Sequence, residues 1–200
     1  MMKHHFTGLR MVYVYFGVML LTGFWMPPSH AAEPPIVPPM RTVGDYKVIH
    51  GEADIDAPLS TVWDVLTDYA DMKKILPGYT YSALLPSSGK EKKADLILKL
   101  NPFTPELRYQ VRFLEERNEN RILIQRISGD FDDMSGSYKL APLRNGNQTH
   151  LIYDLRIDFG VPIPGIGFLL RSKAEADLKA LQSYCPKAHS RALASAHHRN

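Results

Sequence analysis

The chain has 200 residues, with 24 Lys and Arg against 21 Asp and Glu and a formal net charge of +3. Lys3 and Arg10 lie in its first ten residues; beyond residue 31 there remain 22 bases against 21 acids, a balance of +1 with no global pull toward nucleic acid or an anionic membrane. A single cysteine, Cys185, excludes an internal disulfide, so the fold must hold by packing.

The first 31 residues differ in composition from the rest. A basic start is followed by an apolar run over residues 11–25 and then by Met26, two prolines, Ser29, His30 and Ala31. This is the pattern of a secretory signal peptide, with cleavage after Ala31. The competing reading is an uncleaved membrane anchor. The run has 15 residues, broken by Gly17, Thr22 and Gly23, whereas a spanning helix needs roughly 20. Export is the expectation, with the bacterial periplasm as destination. Residues 32–44 hold Pro34, Pro35, Pro38 and Pro39 and read as an extended, polyproline-like linker.

One domain is expected over residues 45–186. Residues 46–54 read as a first strand, stopped by Asp56-Ala57-Pro58. Val62, Val65, Leu66 and Tyr69 then fall at helical spacing, and a second short helix over residues 71–76 ends at Pro77-Gly78. From Tyr79 to Phe159 the period is two. Leu96, Leu98 and Leu100 alternate with Ile97 and Lys99, and Leu107, Tyr109, Val111 and Phe113 alternate with Arg108, Gln110 and Arg112. Leu151, Tyr153, Leu155 and Ile157 repeat the pattern. Such alternation predicts half-buried strands, and the turn signals between them predict an antiparallel meander.

The last segment returns to helical spacing, with Leu170, Ala174, Leu178, Leu181 and Cys185 on one stripe. Arg171, Lys173, Glu175, Asp177 and Lys179 are expected on the other faces. A helix over residues 165–184 would be about 30 Å long, the span of a nine-residue strand, and could lie along the whole sheet. Pro186 marks its expected end or a kink, and residues 187–200 are expected to form a flexible tail. The fold class is α+β, a curved antiparallel sheet wrapped round a long C-terminal helix.

Particular residues carry a family resemblance. Ile55-Asp-Ala-Pro58 followed by Val62-Trp63, then Asp68-Tyr69 and Leu76-Pro77-Gly78, resemble the helical entry of the START-like (SRPBCC) superfamily. Gly129-Asp-Phe131 with Met134, Gly136 and Tyr138, and Val161-Pro162 before the last helix, resemble its later strands and loop. The similarity runs over about residues 46–185 and is nearest to the coenzyme Q-binding and polyketide cyclase/dehydrase branch. The resemblance implies a helix-grip fold with a hydrophobic ligand held between sheet and helix. It implies no shared catalytic set, so no activity is carried over.

No HExxH, GxSxG, P-loop or GxGxxG motif is present, and no metal or other cofactor is expected. The expected cavity wall is Leu96, Leu98, Leu107, Tyr109, Val111, Leu155 and Ile157, with Tyr79, Tyr81, Tyr138 and Arg126 as polar candidates. A tyrosine buries a ring and still offers a hydroxyl to a ligand oxygen. Arg126 would need a partner if it faced inward, and Asp130 is near in sequence; a strand-end arginine at the surface is the alternative. Val161, Ile163, Ile166 and Phe168, in a loop with two prolines and two glycines, are the candidate gate, with transient membrane contact during ligand exchange. A packed lid is the equal alternative.

Three readings follow: a monomeric, non-catalytic carrier of a lipid, quinone or similar molecule; a cyclase or dehydratase using the same cavity; and a protein-interaction module. Converging ionisable groups with shifted pKa would favour the enzyme, a uniformly apolar cavity the carrier, and a filled cleft the interaction module.

Overall fold

The computed structural model describes residues 33–197. The expected signal peptide lies outside the described residues. Among those described, no helix is long and apolar enough to cross a membrane.

The strands are β1 (Arg41–Val43), β2 (Tyr46–Ile55), β3 (Tyr79–Leu85), β4 (Glu91–Lys99), β5 (Glu106–Glu116), β6 (Arg121–Gly129), β7 (Asp133–Leu143) and β8 (Gln148–Asp158). They form one antiparallel sheet in the order β1-β2-β8-β7-β6-β5-β4-β3. Helices α1 (Leu59–Leu66) and α2 (Met72–Ile75) follow β2, and α3 (Ile166–His197) closes the chain. This is the helix-grip arrangement expected from the sequence.

The two-residue rhythm sets the register. Ile49 lies opposite Leu155, Met134 opposite Ile157, Ile122 opposite Tyr138 and Ala94 opposite Val111. Each pair therefore puts apolar side chains on one face, and that face meets α3. A one-residue slip would turn the whole set outward, which is why the pattern fixes the pairing. The β5–β6 and β7–β8 hairpins turn through Asn120 and Asn145 at φ 49° and 60°, a left-handed conformation that asparagine tolerates. Val62, Trp63 and Leu66 bury one stripe of α1, and α1 and α2 both pack against α3.

Two expectations about the ends are corrected. Residues 33–44 are not a free spacer. The Ile36 N–H donates to the Glu52 carbonyl and the Glu52 N–H to the Ile36 carbonyl, both at 2.8 Å. β1 pairs with β2, and Val37 is buried. The Arg171 Nε donates to the Val37 carbonyl at 3.0 Å, and the Gln182 amide donates to the Glu33 carbonyl at 2.8 Å. The segment covers the edge of β2, and its prolines, lacking N–H groups, leave a poor template for further strand pairing.

Pro186 does not end the last helix. α3 runs 32 residues with Pro186 inside it, so residues 187–197 are helical rather than a loose tail. A proline there removes one backbone hydrogen bond and crowds the preceding turn. Packing on both sides compensates: Cys185 is fully buried and His189 Nδ1 lies 3.2 Å from Thr61 Oγ1 of α1.

Candidate functional site

The curved sheet and α3 enclose a chamber, but α3 lies closest to the β2 side of it. The remaining gap is bridged by long aromatic side chains from the other strands. Their rings leave a void of about 40 Å³, room for roughly three waters. The roomy cavity expected from the sequence is therefore mostly filled by tyrosine and phenylalanine side chains.

Five expected wall residues, Leu98, Leu107, Tyr109, Leu155 and Ile157, line this void together with the polar candidate Tyr79. Leu96 and Val111 are fully buried on the same face but belong to the packed core beside it. Tyr138 stacks on Tyr153 with ring centroids 5.0 Å apart. Tyr153 faces the 40 Å³ void, whereas Tyr138 borders a second void of about 10 Å³ against Leu66, Met72 and Leu181. This stacked pair separates the two.

Tyr81 is not in the chamber. A register shift between Tyr79 and Tyr81 sends it to the outer face, where it is 41% exposed with Lys73 Nζ 5.9 Å from its ring. Arg126 lies opposite inward-facing Val111, yet Asp130 is not its partner. Its Nη2 donates to the Gly129 carbonyl at 3.0 Å, while the Asp130 carboxylate accepts the Arg108 backbone N–H at 2.7 Å. Arg126 Nε is buried without a hydrogen-bond partner among the described residues.

The polar centre contains a pair expected on the surface. Lys173 and Asp177, one turn apart on α3, both line the void. Lys173 Nζ lies 2.5 Å from each Asp177 carboxylate oxygen and 4.5 Å from the centroid of the Tyr79 ring. The Tyr79 hydroxyl is 3.1 Å from that of Tyr109. Burial pushes the Lys173 ammonium below its ordinary pKa, opposed by Asp177. Burial pushes the Asp177 carboxyl above the usual carboxylate value, opposed by Lys173. The hydroxyls of Tyr79, Tyr109, Tyr138 and Tyr153 are likewise raised, chiefly by burial.

An aromatic chain links this centre to the candidate gate. Tyr109 meets Phe131 edge-on at 4.9 Å, and Phe131 meets Phe159 at 5.3 Å. After Phe159 the backbone turns through Gly160 and Gly165 at φ 70° and 74°. Val161 and Phe168 are 64% and 75% exposed, and Ile163 is also at the surface. Ile166 differs from these three, its side chain being buried against the core.

A larger depression of about 510 Å³ lies on the opposite face, among Val43, Tyr46, Val48, Leu123 and Arg156. It is an open trough, and the Arg156 guanidinium sits over the Tyr46 ring at 3.8 Å. Among the described residues no three His, Cys, Asp or Glu side chains are grouped to hold a metal.

The fold matches known structures at low sequence identity. The STAR-related lipid transfer protein from Xanthomonas axonopodis is 20% identical with a TM-score of 0.65, the alignment covering 78% of this chain and 96% of that one. The Zhui aromatase/cyclase from Streptomyces sp. R1128 gives 17% identity and 0.61, covering 71% and 94%. A START superfamily protein from Mycobacterium smegmatis gives 19% and 0.63, covering 70% and 97%. No curated protein matches the chain in sequence. The family model for polyketide cyclase/dehydrase and lipid transport matches residues 55–179, from the end of β2 into α3. The chain belongs to that family, and its fold matches that of the START-like structures.

Proposed function

We propose that the protein binds and carries a hydrophobic small molecule, a lipid, quinone or similar compound, between the sheet and α3, without converting it. The observation that carries this reading is the convergence of the Tyr79 and Tyr109 hydroxyls and Lys173 on one void with an otherwise mainly apolar lining. Apolar walls with a few fixed polar groups are what orient a hydrophobic ligand. The void is far below the roughly 300 Å³ at which ligand pockets begin, so binding requires the aromatic side chains or α3 to move. The loop over residues 160–165, with glycines at both ends, is the proposed gate, and its exposed Val161 and Ile163, with Phe168 beyond them, are its proposed contact with membrane. The N-terminal pattern supports action outside the cytoplasm.

Non-catalytic binding is supported by how the lining groups are engaged. Lys173 and Asp177 hold each other, and the tyrosines are driven further from ionisation than free tyrosine. The observation favouring an enzyme, a cyclase or dehydratase, is that burial draws Lys173 down and Asp177 up, each toward neutrality. Native mass spectrometry of the protein purified from its own membrane-containing extract separates these readings. A retained lipid or quinone, recovered unchanged, is expected. Recovery of a cyclised or dehydrated product after incubation with a polyketide-like ketone would replace the carrier with the enzyme. A protein that neither retains a small molecule nor converts the ketone would exclude both and leave the interaction module, the reading that the filled chamber favours.

A further inference from the structure

The Lys173–Asp177 pair has a consequence for which ligands the chamber can take. Lys173 is the N-terminal member of the pair, the less favourable order for an i,i+4 contact on a helix. The two side chains are only 11% and 12% exposed, so each has lost most of its hydration. A buried pair of this kind commonly contributes less to stability than apolar residues of the same volume. Helix stabilisation is therefore a poor account of its presence.

Its position is more informative. Among the described residues the two groups are the only charged ones lining the void, and they compensate each other. Arg126, opposite inward-facing Val111, is not part of the lining; its guanidinium turns to the Gly129 carbonyl. The remaining polar lining consists of tyrosine hydroxyls. The charge of the void is thus closed at zero before any ligand arrives. A carboxylate or phosphate placed there would be a third, uncompensated buried charge, which is costly in a dry interior.

A neutral oxygen meets the opposite situation. Lys173 has three N–H donors, and two are directed to the Asp177 oxygens. The third, with whichever of the Tyr79 and Tyr109 hydroxyls is not donating to the other, can donate to a carbonyl without adding charge.

We propose that the chamber beneath α3 selects uncharged hydrophobic molecules bearing a hydrogen-bond-accepting oxygen, such as ketones or quinones, and rejects anionic amphiphiles, because Lys173 and Asp177 already close its charge balance. This rests on the ligand-binding reading above and narrows it to one class of ligand.

Two probes of equal chain length test it, dodecan-2-one and dodecanoate, titrated into the full chain at neutral pH by calorimetry. The wild type is expected to bind the ketone at least about tenfold more tightly than the carboxylate. Asp177→Asn removes the internal counter-charge, so dodecanoate is expected to gain about tenfold or more and to match or pass the ketone. The neutral pair Lys173→Gln/Asp177→Asn keeps the chamber uncharged and should retain the preference for the ketone. Equal wild-type affinity for the two probes overturns the proposal, as does an Asp177→Asn protein that stays folded without gaining affinity for dodecanoate. If Asp177→Asn does not fold, the wild-type comparison alone decides. Binding of neither probe overturns the ligand-binding reading itself, an outcome distinct from loss of selectivity.

Discussion

Leu178 Cδ1 on α3 lies 2.8 Å from the point where a Cβ on Gly51 would stand. The absent side chain on β2 is what lets the helix settle against that strand. Leu178 is fully buried, so it has little room to move aside. Gly51→Val should therefore overpack the contact and destabilise the fold by about 1–3 kcal/mol. Shortening the neighbour should relieve this, so the cost of Gly51→Val measured in a Leu178→Ala background is expected to be smaller. Urea denaturation of the four proteins in the cycle reads the coupling.

The Lys173–Asp177 pair should behave asymmetrically. Removing one member leaves the other charge buried without its partner, and Lys173→Met or Asp177→Leu alone should cost about 3–5 kcal/mol. The double variant replaces both with apolar groups and should be as stable as the wild type, or more stable by about 1–4 kcal/mol. Loss of ketone binding in that stable double variant would mark the pair as kept for ligand recognition. Two additive losses in denaturation midpoint would contradict the account.

The gate residues divide by burial. Ile163→Asp and Phe168→Asp alter exposed side chains and should leave the melting temperature unchanged while slowing ligand transfer from vesicles. Ile166→Asp puts a carboxylate among packed apolar groups and should unfold the N-terminal end of α3, seen as a loss of stability. Unchanged transfer in all the folded variants would leave the loop as a simple lid.

A pH dependence is expected from the outer face. His50 Nδ1 lies 2.7 Å from Asp154 Oδ1, and its Nε2 lies 2.9 Å from Glu52 Oε1. Both ring nitrogens face carboxylates, which suits the doubly protonated ring. The pKa is raised above its ordinary 6.5, first by the bond to Asp154 and then by that to Glu52. A raised folded value means that the stabilisation is fully present below pH 6.5 and fades as pH rises through the higher folded value. The site is partly exposed, so salt should screen the effect. Melting curves between pH 6 and 8 are expected to show this decline in the wild type and a smaller one in His50→Gln. Equal slopes would remove His50 as its source.

Much of the fold was legible because strand alternation and helix spacing are set by burial itself. Leu107, Tyr109, Val111 and Phe113 read correctly as one inward face of β5 for that reason. The misreadings arose where one local rule gave way to another. Tyr81 followed Tyr79 by two residues, but a register shift reversed its direction. Lys173 and Asp177 were expected on the other faces of the helix with Arg171, Glu175 and Lys179, since composition carries no sign that a charged flank faces a cavity. Each immediately precedes a stripe residue, Ala174 or Leu178, so a wider apolar face would have included them. The prolines of residues 33–44 suggested a spacer, although Ile36 and Val37 between them could still pair and bury. Tyr153 was visible in the alternation, but nothing marked its ring as one that fills the chamber. How full the chamber is depends on how closely α3 approaches β2, and that is fixed by the long-range contact of Gly51 with Leu178.

The central claim is that a hydrophobic molecule enters beneath α3, and methyl NMR during titration with dodecan-2-one tests it directly. The account expects shifts at Leu98, Leu107, Leu155 and Ile157, which line the inner void. Shifts confined to Val43, Val48 and Leu123, around the outer trough, would contradict it.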